Sequence, residues 1–394
     1  MSRPIANEDR PRVVLVGAEP ERPYERPPLS KEYLRGEAER EKVFVHEASF
    51  YSDNDIELRA GANVIDVDCD HRQLALDTGE RVTFDRLLLA TGAEPHRLTV
   101  PGGELQGIHY LRTLADSDAL RERVEAGGKL VVVGAGWIGA EVAASARQRG
   151  VEVTVIAPHQ VPLERVLGAQ VGAIYRDIHV AHGVEMLLGA RVASLEGDGT
   201  VERVRTQTGH AIDCTAVVVG VGAKPRTQLA AAAGLAVENG ILVDGRLKTA
   251  VPGVFAAGDV ANHLHPRLGR LRVEHWDNAL HQGPAAALGM LGSAERYERL
   301  PYFFSDQYDI GMEYSGHATR WDQVVFRGDP ASREFIAFWL AGGRVLAGMN
   351  VNVWDVTEPI QALIRSGRPI DERRLSDPDV PLRDLVGVDE PVAS

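Results

Sequence analysis

The residues with the plainest chemistry in this sequence are three glycines. Gly134, Gly136 and Gly139 stand in the run GAGWIG, a spacing suited to holding a phosphate. The first permits a tight turn, the second lets the backbone approach a pyrophosphate, and the third lets a helix pack closely on a sheet. The positive end of that helix then favours the anion. Such a loop works only between a strand and a helix, and both are legible. Leu130 to Val133 form an unbroken apolar run, as in a parallel strand buried on both faces. Behind the glycines a helical pattern runs to about Arg149, Gly150 closes it, and VEVTVI at 151–156 is the next strand. Inside a complete βαβ unit the motif is specific.

One member of this nucleotide fingerprint is absent. An acidic residue at the end of the second strand ordinarily bonds the ribose 2′-OH of NAD. That place holds Ala157, followed by Pro158, His159 and Gln160. Without the carboxylate, repulsion of a 2′-phosphate is lost, and His159 is available to assist one. NADH is favoured over NADPH only narrowly.

The unit occurs twice. DRLLLATGAEP (85–95) and TAVVVGVGAKP (215–225) both end a strand in x-G-A-x-P, with Gly92 and Gly222 130 residues apart (222 − 92). RVVLVGAEP (12–20) likewise resembles VEVTVIAPHQ (151–160), with Ala18 opposite Ala157. The fold class is therefore α/β, with two related doubly wound dinucleotide-binding domains. The repeat also exposes a gap. Gly134 precedes Ala157 by 23 residues (157 − 134), so the first copy's fingerprint, carried back from Ala18, would fall before Met1. After Gly17 the chain instead enters the charged, proline-dense EPERPYERPPLSK. Either the N-terminal strand and helix are missing, or residues 13–18 splice a first strand onto a second, with about thirty residues lost between them. The ribose acceptor position of this copy is Ala18, with Glu19 a displaced substitute.

Bulk properties narrow the chemistry. The 394 residues suffice for two or three domains, and 44% hydrophobic with 25% charged residues is an ordinary globular composition. A net charge of −13 argues against a nucleic-acid partner. No run approaches the roughly 18 apolar residues of a membrane helix, and MSRPIANEDR lacks signal-peptide features. A cytoplasmic protein with no membrane partner is expected. The two cysteines, Cys69 and Cys214, leave no Cys-x-x-Cys pair and no four-thiolate cluster, so redox chemistry would need a bound organic cofactor. His263 and His265 lack a supporting carboxylate or cysteine cluster. They read as loop residues, and no metal site is expected.

From Tyr302 the pattern changes. WDQVVFRG, REFIAFWLA and RVLAGMNVN are short aromatic, β-branched strands, followed by the amphipathic TEPIQALIRSG (357–367). An α+β domain is expected at 300–394. No low-complexity linker separates the domains, so close packing is expected.

Six segments occur in order: RPYERPPLSKEYL, LLLATGAEP, GAGWIGAE, VFAAGDVA, VEHWDNALHQG and FFSDQYD. In them the chain resembles the NAD(P)H-dependent, FAD-containing ferredoxin reductases that feed bacterial oxygenases and cytochromes P450. The resemblance runs from about residue 12 to nearly the end, and that family carries its own G-x-G-x-x-G ahead of RPPLSK. It implies an FAD domain at 1–111 with 244–299, interrupted by an NAD(P) domain at 112–243 so that the two are interleaved, then an interface domain at 300–394. It places Lys31 beside the flavin, paired with Glu141. Physically, a cation near flavin N5 steadies the anion left by hydride addition and a carboxylate holds the cation. Pro27-Pro28 reads as an extended approach presenting that lysine. By the same resemblance Asp259 bonds the ribityl chain and Trp276 lies against the ring. Val64, Thr91, Gly92 and Arg112 are further FAD contacts, and Phe304 stands near the nicotinamide face. The helix opening at VEHWDN would be capped by Asp277 or Asn278 and would turn its positive end toward the flavin's pyrimidine edge.

The implied reaction runs from NAD(P)H on the Gly134 loop, through FAD, to a ferredoxin-type iron–sulfur protein that takes single electrons. A monodehydroascorbate or quinone diaphorase would share every motif. A flavin-poor NAD-binding remnant acting as an interaction protein would explain the absent loop, and a sensor or death-effector flavoprotein is a more distant reading. A monomer or homodimer is expected. Arg365, Arg368, Arg373 and Arg374 form a basic patch that suits an acidic ferredoxin, or equally a solvated helix end.

Overall fold

The computed structural model describes residues 11–386, so the N-terminal decapeptide lies outside the described residues. At its centre is a five-stranded sheet in the order Glu185–Leu188, Glu152–Ala157, Lys129–Val133, Ala216–Val219, Ile108–His109, parallel throughout. Parallel neighbours need crossovers, and the Trp137–Gln148 and Glu164–Ala181 helices supply two of them. Burial on both faces accounts for the unbroken apolar runs: Leu130 to Val133, Val153, Val155 and Ile156 are all buried. Buried alanines on Trp137–Gln148 let that helix lie close to the sheet.

A second unit repeats part of this plan. Val13–Gly17 pairs in parallel with Ile56–Ala60, as Glu152–Ala157 pairs with Glu185–Leu188. Val13–Gly17 therefore holds the second-strand position, with Ala18 opposite Ala157. Leu87–Leu89, the counterpart of Ala216–Val219, pairs with Val254–Ala256. Among the described residues no strand joins these two pairs into one sheet. Each unit also carries a three-stranded antiparallel sheet, Val64–Asp68 with Gln73–Leu76 and Arg81–Thr83 in one, Val192–Glu196 with Arg203–Thr206 and Ala211–Asp213 in the other. The repeated x-G-A-x-P segments meet each other: Ala93–Pro95 pairs antiparallel with Ala223–Pro225. Each is entered through a glycine in the left-handed region, Gly92 at φ +69° and Gly222 at φ +101°.

The C-terminal domain is an antiparallel sheet ordered Tyr302–Gln307, Ile310–Gly316, Arg344–Val351, Glu334–Ala341, Gln323–Asp329. Period-two alternation divides Glu334–Ala341 between two cores. Phe335, Ala337 and Trp339 face the Glu164–Ala181 helix through Tyr175 and Ile178. Ile336, Phe338 and Leu340 face Ile360 and Leu363 of the Thr357–Ser366 helix. Trp339 Nε1–H also donates to the Leu167 carbonyl at 3.1 Å, so this domain packs directly on the central unit.

Three local expectations change. Pro27–Ser30 is a 3-10 turn rather than an extended approach, because proline at a helix start has no N–H to leave unpaired. The helix Trp276–Met290 begins one residue before the expected caps, with His275 in the cap position and no side-chain cap. Asp277 is drawn inside by Arg299, which grips both carboxylate oxygens at 2.7 and 2.8 Å, while Asn278 donates to the Val273 carbonyl. His263 and His265 lie on the buried strand Ala261–His265, not on a loop. Among the described residues no helix is long and apolar enough to cross a membrane.

Candidate functional site

Lys31 leaves the 3-10 turn pointing inward and is 5% exposed. Its Nζ donates to Glu141 Oε2 at 3.0 Å and to the Pro27 carbonyl at 3.1 Å. Glu141, 4% exposed, sits on the first turns of the Trp137–Gln148 helix, two residues beyond Gly139. Ser30 Oγ–H donates to its Oε2, and Ser305 Oγ–H to its Oε1 at 2.7 Å. A buried charge is sustained only when paired and hydrogen-bonded. Here both conditions hold: the first unit and the C-terminal domain supply the donors, and the second unit supplies the carboxylate.

Beside the pair opens a cavity of about 250 Å³ walled by Pro27, Pro28, Lys31, Trp276, Phe304 and Asp306. Trp276 is 37% exposed; its Nε1–H donates to the Glu25 carboxylate and its ring meets Phe304 edge-on at 6.0 Å. Lys31 Nζ lies 5.5 Å from the Phe304 ring centre, within reach of a cation–π attraction. Burial raises the Asp306 carboxyl above its ordinary pKa, opposed by Lys31 and reinforced by Glu141. Burial holds the neighbouring His275 down at about 4, so its ring is neutral at pH 7.

A second group forms where the units meet. Arg112 Nη2 donates to Asp259 Oδ2 at 2.7 Å, and a Cβ on Gly92 would stand 3.3 Å from that same Nη2. Thr91 Oγ1–H donates to the Arg226 carbonyl at 2.7 Å, tying the paired x-G-A-x-P segments together. Arg112 also borders a larger cavity of about 650 Å³ with Asp116, Lys224 and Arg226. Val64 joins neither group; it packs in the apolar cluster of the first unit and lines neither cavity.

The glycine loop has the geometry its spacing predicts. Gly134 turns at φ +107°, and a Cβ there would stand 2.2 Å from the Gly220 carbonyl. A Cβ on Gly139 would meet the Gly134 carbonyl oxygen at 2.1 Å, whereas one on Gly136 would meet nothing within 4 Å. The middle glycine thus faces open space at the start of an uncapped helix. Ala157 is buried at the end of its strand. The first carboxylate after the strand is Glu164, which opens the next helix; its Oε2 accepts the Gln160 N–H at 2.8 Å and lies 4.0 Å from His159 Nδ1. In the first copy Glu19 is not a free substitute: Tyr24 O–H donates to it and Arg26 Nη2 lies 3.5 Å away. Among the described residues no group of three or more His, Cys, Asp or Glu is placed to hold a metal ion.

The site therefore gathers Lys31, Glu141 and Trp276 at one place and Gly92, Arg112 and Asp259 at another. Sequence reasoning overlooked Ser30, Ser305, Gln307 and Asp306. A signal existed: Phe303, Ser305 and Gln307 are the inward positions of an aromatic strand, and two of the three are polar.

Two nucleotide-binding units closed over a buried lysine–glutamate pair, with an antiparallel domain supplying a third side, define a two-nucleotide oxidoreductase. Residues 4–283 match the family described as pyridine nucleotide-disulphide oxidoreductase, and residues 302–386 match that described as reductase C-terminal. The chain belongs to the pyridine nucleotide-disulphide oxidoreductases, in the branch that carries the reductase C-terminal domain. It is 36% identical over 373 residues to rhodocoxin reductase of Rhodococcus erythropolis, covering 94% of this chain and 87% of that protein. It is 39% identical to the anthranilate 1,2-dioxygenase system ferredoxin–NAD(+) reductase component of Burkholderia cepacia, covering 94% and 92%. The ferredoxin reductase for the CYP199A2 system from Rhodopseudomonas palustris superposes with a TM-score of 0.91 at 35% identity, covering 95% and 93%. The covalent putidaredoxin reductase–putidaredoxin complex gives 0.90 at 35% identity, covering 95% and 91%.

Proposed function

We propose that this chain is an NAD(P)H-dependent ferredoxin reductase of an oxygenase or cytochrome P450 system, acting in the cytoplasm. The observation that carries the reading is the buried Lys31–Glu141 pair at the wall of a cavity faced by Trp276 and Phe304. FAD and NAD(P)H are the cofactors the family implies. The residues present fit the ring end of FAD: a buried cation, a partly exposed indole, and the Arg112–Asp259 pair for polar atoms between. They do not fit its pyrophosphate end, where no glycine loop stands among the described residues beside Val13–Gly17.

When bound, FAD supplies an acceptor for the two electrons of a hydride and returns them singly. Lys31 presents a fixed positive charge to the cavity, and Glu141 keeps that ammonium from swinging out. Pro27, Pro28 and Phe304 exclude water on one side, which strengthens every charge interaction inside. The Gly136 space and the uncapped helix behind it would hold the nicotinamide cofactor's pyrophosphate. NADH is preferred over NADPH, narrowly, because Ala157 supplies neither a 2′-OH acceptor nor repulsion. Substituting Ala157→Glu should shift the NADH-to-NADPH ratio of kcat/KM toward NADH by about tenfold or more; a wild-type protein that already rejects NADPH by several orders of magnitude places the determinant elsewhere.

An acceptor panel tests the proposal. With added FAD and NADH, ferredoxin-dependent cytochrome c reduction should exceed reduction of quinones and monodehydroascorbate; the reverse order makes the chain a diaphorase. The split first sheet favours one second reading, a flavin-poor nucleotide-binding protein that acts through interactions. A visible spectrum with no flavin band after incubation with excess FAD would select it.

A further inference from the structure

Behind the Lys31–Glu141 pair runs a line of buried polar groups whose hydrogen-bond directions are fixed by elimination. Glu141 Oε1 only accepts, so Ser305 must spend its single proton there, at 2.7 Å. Ser305 Oγ is then the acceptor for Gln307, whose Nε2–H lies 3.2 Å away. That turns Gln307 Oε1 toward His179 Nε2 at 2.9 Å, so His179 carries its proton on Nε2. Its Nδ1 must therefore accept, and the Tyr308 hydroxyl stands 3.1 Å from it. Every bond points the same way, from Tyr308 to the carboxylate that holds Lys31. Ser305, Gln307 and His179 are all buried at 2% exposure or less. Burial also keeps the His179 ring neutral at pH 7, with its pKa lowered to about 4. Bonds aligned in this way in a dry interior reinforce one another.

The line starts at Tyr308, just past the first strand of the C-terminal domain, passes through His179 of the Glu164–Ala181 helix, returns to that strand at Gln307 and Ser305, and ends on the nucleotide-loop helix. A serine and a glutamine in the inward row of an aromatic strand, where apolar residues would pack, are unneeded for that domain's own core. We propose that Ser305 and Gln307, oriented by His179, are positioning residues that fix the Glu141 carboxylate and through it the direction of the Lys31 ammonium, giving the C-terminal domain a part in reduction besides any part in docking. The role in reduction rests on the ferredoxin-reductase reading; the positioning itself does not.

The test therefore has a readout that needs neither flavin nor activity. Lysine acylation of the full chain, followed residue by residue by mass spectrometry, reports how often the Lys31 amine is released. Removing a donor to a carboxylate by Ser305→Ala should raise Lys31 labelling about tenfold while Lys42 and Lys248 stay unchanged. Ser305→Thr should restore the wild-type rate. In the Glu141→Gln background Ser305→Ala should add nothing, because the serine acts only through that carboxylate. Gln307→Met should reproduce a weaker form of the effect and serves if Ser305→Ala does not fold. Unchanged Lys31 labelling in the folded variants, or full additivity with Glu141→Gln, overturns the positioning role. With added FAD, Ser305→Ala should slow NADH-driven bleaching about tenfold with little change in the NADH concentration for half-maximal rate. Released Lys31 with an unaltered bleaching rate would overturn the reductive part and leave the positioning standing.

Discussion

The two nucleotide-binding units obey one plan and differ in one strand position. In the second unit Lys129–Val133 lies at the centre of five parallel strands, and Val131 and Val133 are 1% and 6% exposed. In the first unit the matching centre, between Val13–Gly17 and Leu87–Leu89, holds no strand among the described residues. Val14 and Val16, in the row that the second unit buries as Val153 and Val155, are only partly buried. The comparison shows what the central βα turn contributes. It supplies a strand that covers two neighbours, a helix that covers their face, and the N–H groups that meet a pyrophosphate.

The largest effect expected from that difference concerns FAD. Each charge-assisted hydrogen bond to the pyrophosphate is worth roughly 1.5–3 kcal/mol. Lacking two of them weakens binding by about two to four orders of magnitude. The 394-residue chain should therefore purify partly free of flavin. Adding a strand–GxGxxG–helix of about thirty residues ahead of Val13 should restore one FAD per chain and raise the unfolding midpoint. The structure dictates that position: Val13–Gly17 is a second strand, so the segment belongs before it. Stoichiometric, tightly bound FAD in the chain without the addition would break the comparison, since the two units would then be functionally equivalent.

Lys31 belongs to the first unit and Glu141 to the second, so the next effect measures how firmly they are joined. Lys31→Met leaves the Glu141 carboxylate buried with no cation, and breaking a buried pair in this way costs about 3–5 kcal/mol. Flavin bleaching by NADH should slow about a hundredfold, the scale of losing one preorganised charge at the reacting group. Nicotinamide binding, on the far side of Glu141, should stay near normal. A bleaching rate unmoved by the substitution would make the lysine structural only.

What could be read in the sequence and what could not divide along the same line. GAGWIG, the apolar run at 130–133 and the paired x-G-A-x-P segments are local signals with a period or a fixed spacing, and each took its expected place. The partnership of Lys31 with Glu141 spans 110 residues and was legible only through resemblance to a family. Ser30 gave no spacing cue, and Ser305 gave only the alternation of its strand, because what a serine bonds is set by what faces it in three dimensions. The caps expected at Asp277 and Asn278 failed for a tertiary reason: Arg299, beyond the helix's far end, draws Asp277 into an ion pair. The loop assigned to His263 and His265 failed because alternation in ANHLH buries both rings on one face of a strand.

Acid distinguishes the units again. Burial lowers His263 and His275 of the first unit, and His179 of the second, to about 4 each. Near pH 7 these rings are neutral whether folded or unfolded. As pH falls below the ordinary histidine value of about 6.5 the unfolded chain takes up protons that the folded one refuses. Stability is therefore fully present above about 6.5, declines between about 6.5 and 4, and loses nothing further to these groups below that. Each ring contributes at most about 1.4 kcal/mol per pH unit in that window. With two such rings against one, and an incomplete sheet, the first unit should open first. Hydrogen exchange at pH 5 should show segments 254–290 losing protection before 129–219. Simultaneous loss would mean that the units unfold as a single cooperative body.

The smallest effect lies outside both units. Arg365, Arg368, Arg373 and Arg374 are exposed on the C-terminal domain, where Arg365 also reaches Gln361 and Glu358 and Arg373 lies in the short Glu372–Ser376 helix. If this patch steers an acidic ferredoxin, its charge acts on the encounter more than on the bound complex. Reversing Arg368 and Arg373 to Glu changes the local charge by four, which should slow ferredoxin-dependent cytochrome c reduction about three- to tenfold at low salt. Near 0.15 M salt the screening length falls to about 8 Å and most of that difference should vanish. Flavin bleaching by NADH should not change, because neither arginine lines the Lys31 cavity. A ferredoxin-dependent rate that is unmoved at every salt concentration assigns docking to another face. Slower bleaching would instead mean that the reversal had disturbed the domain itself, and with it the strand that carries Ser305.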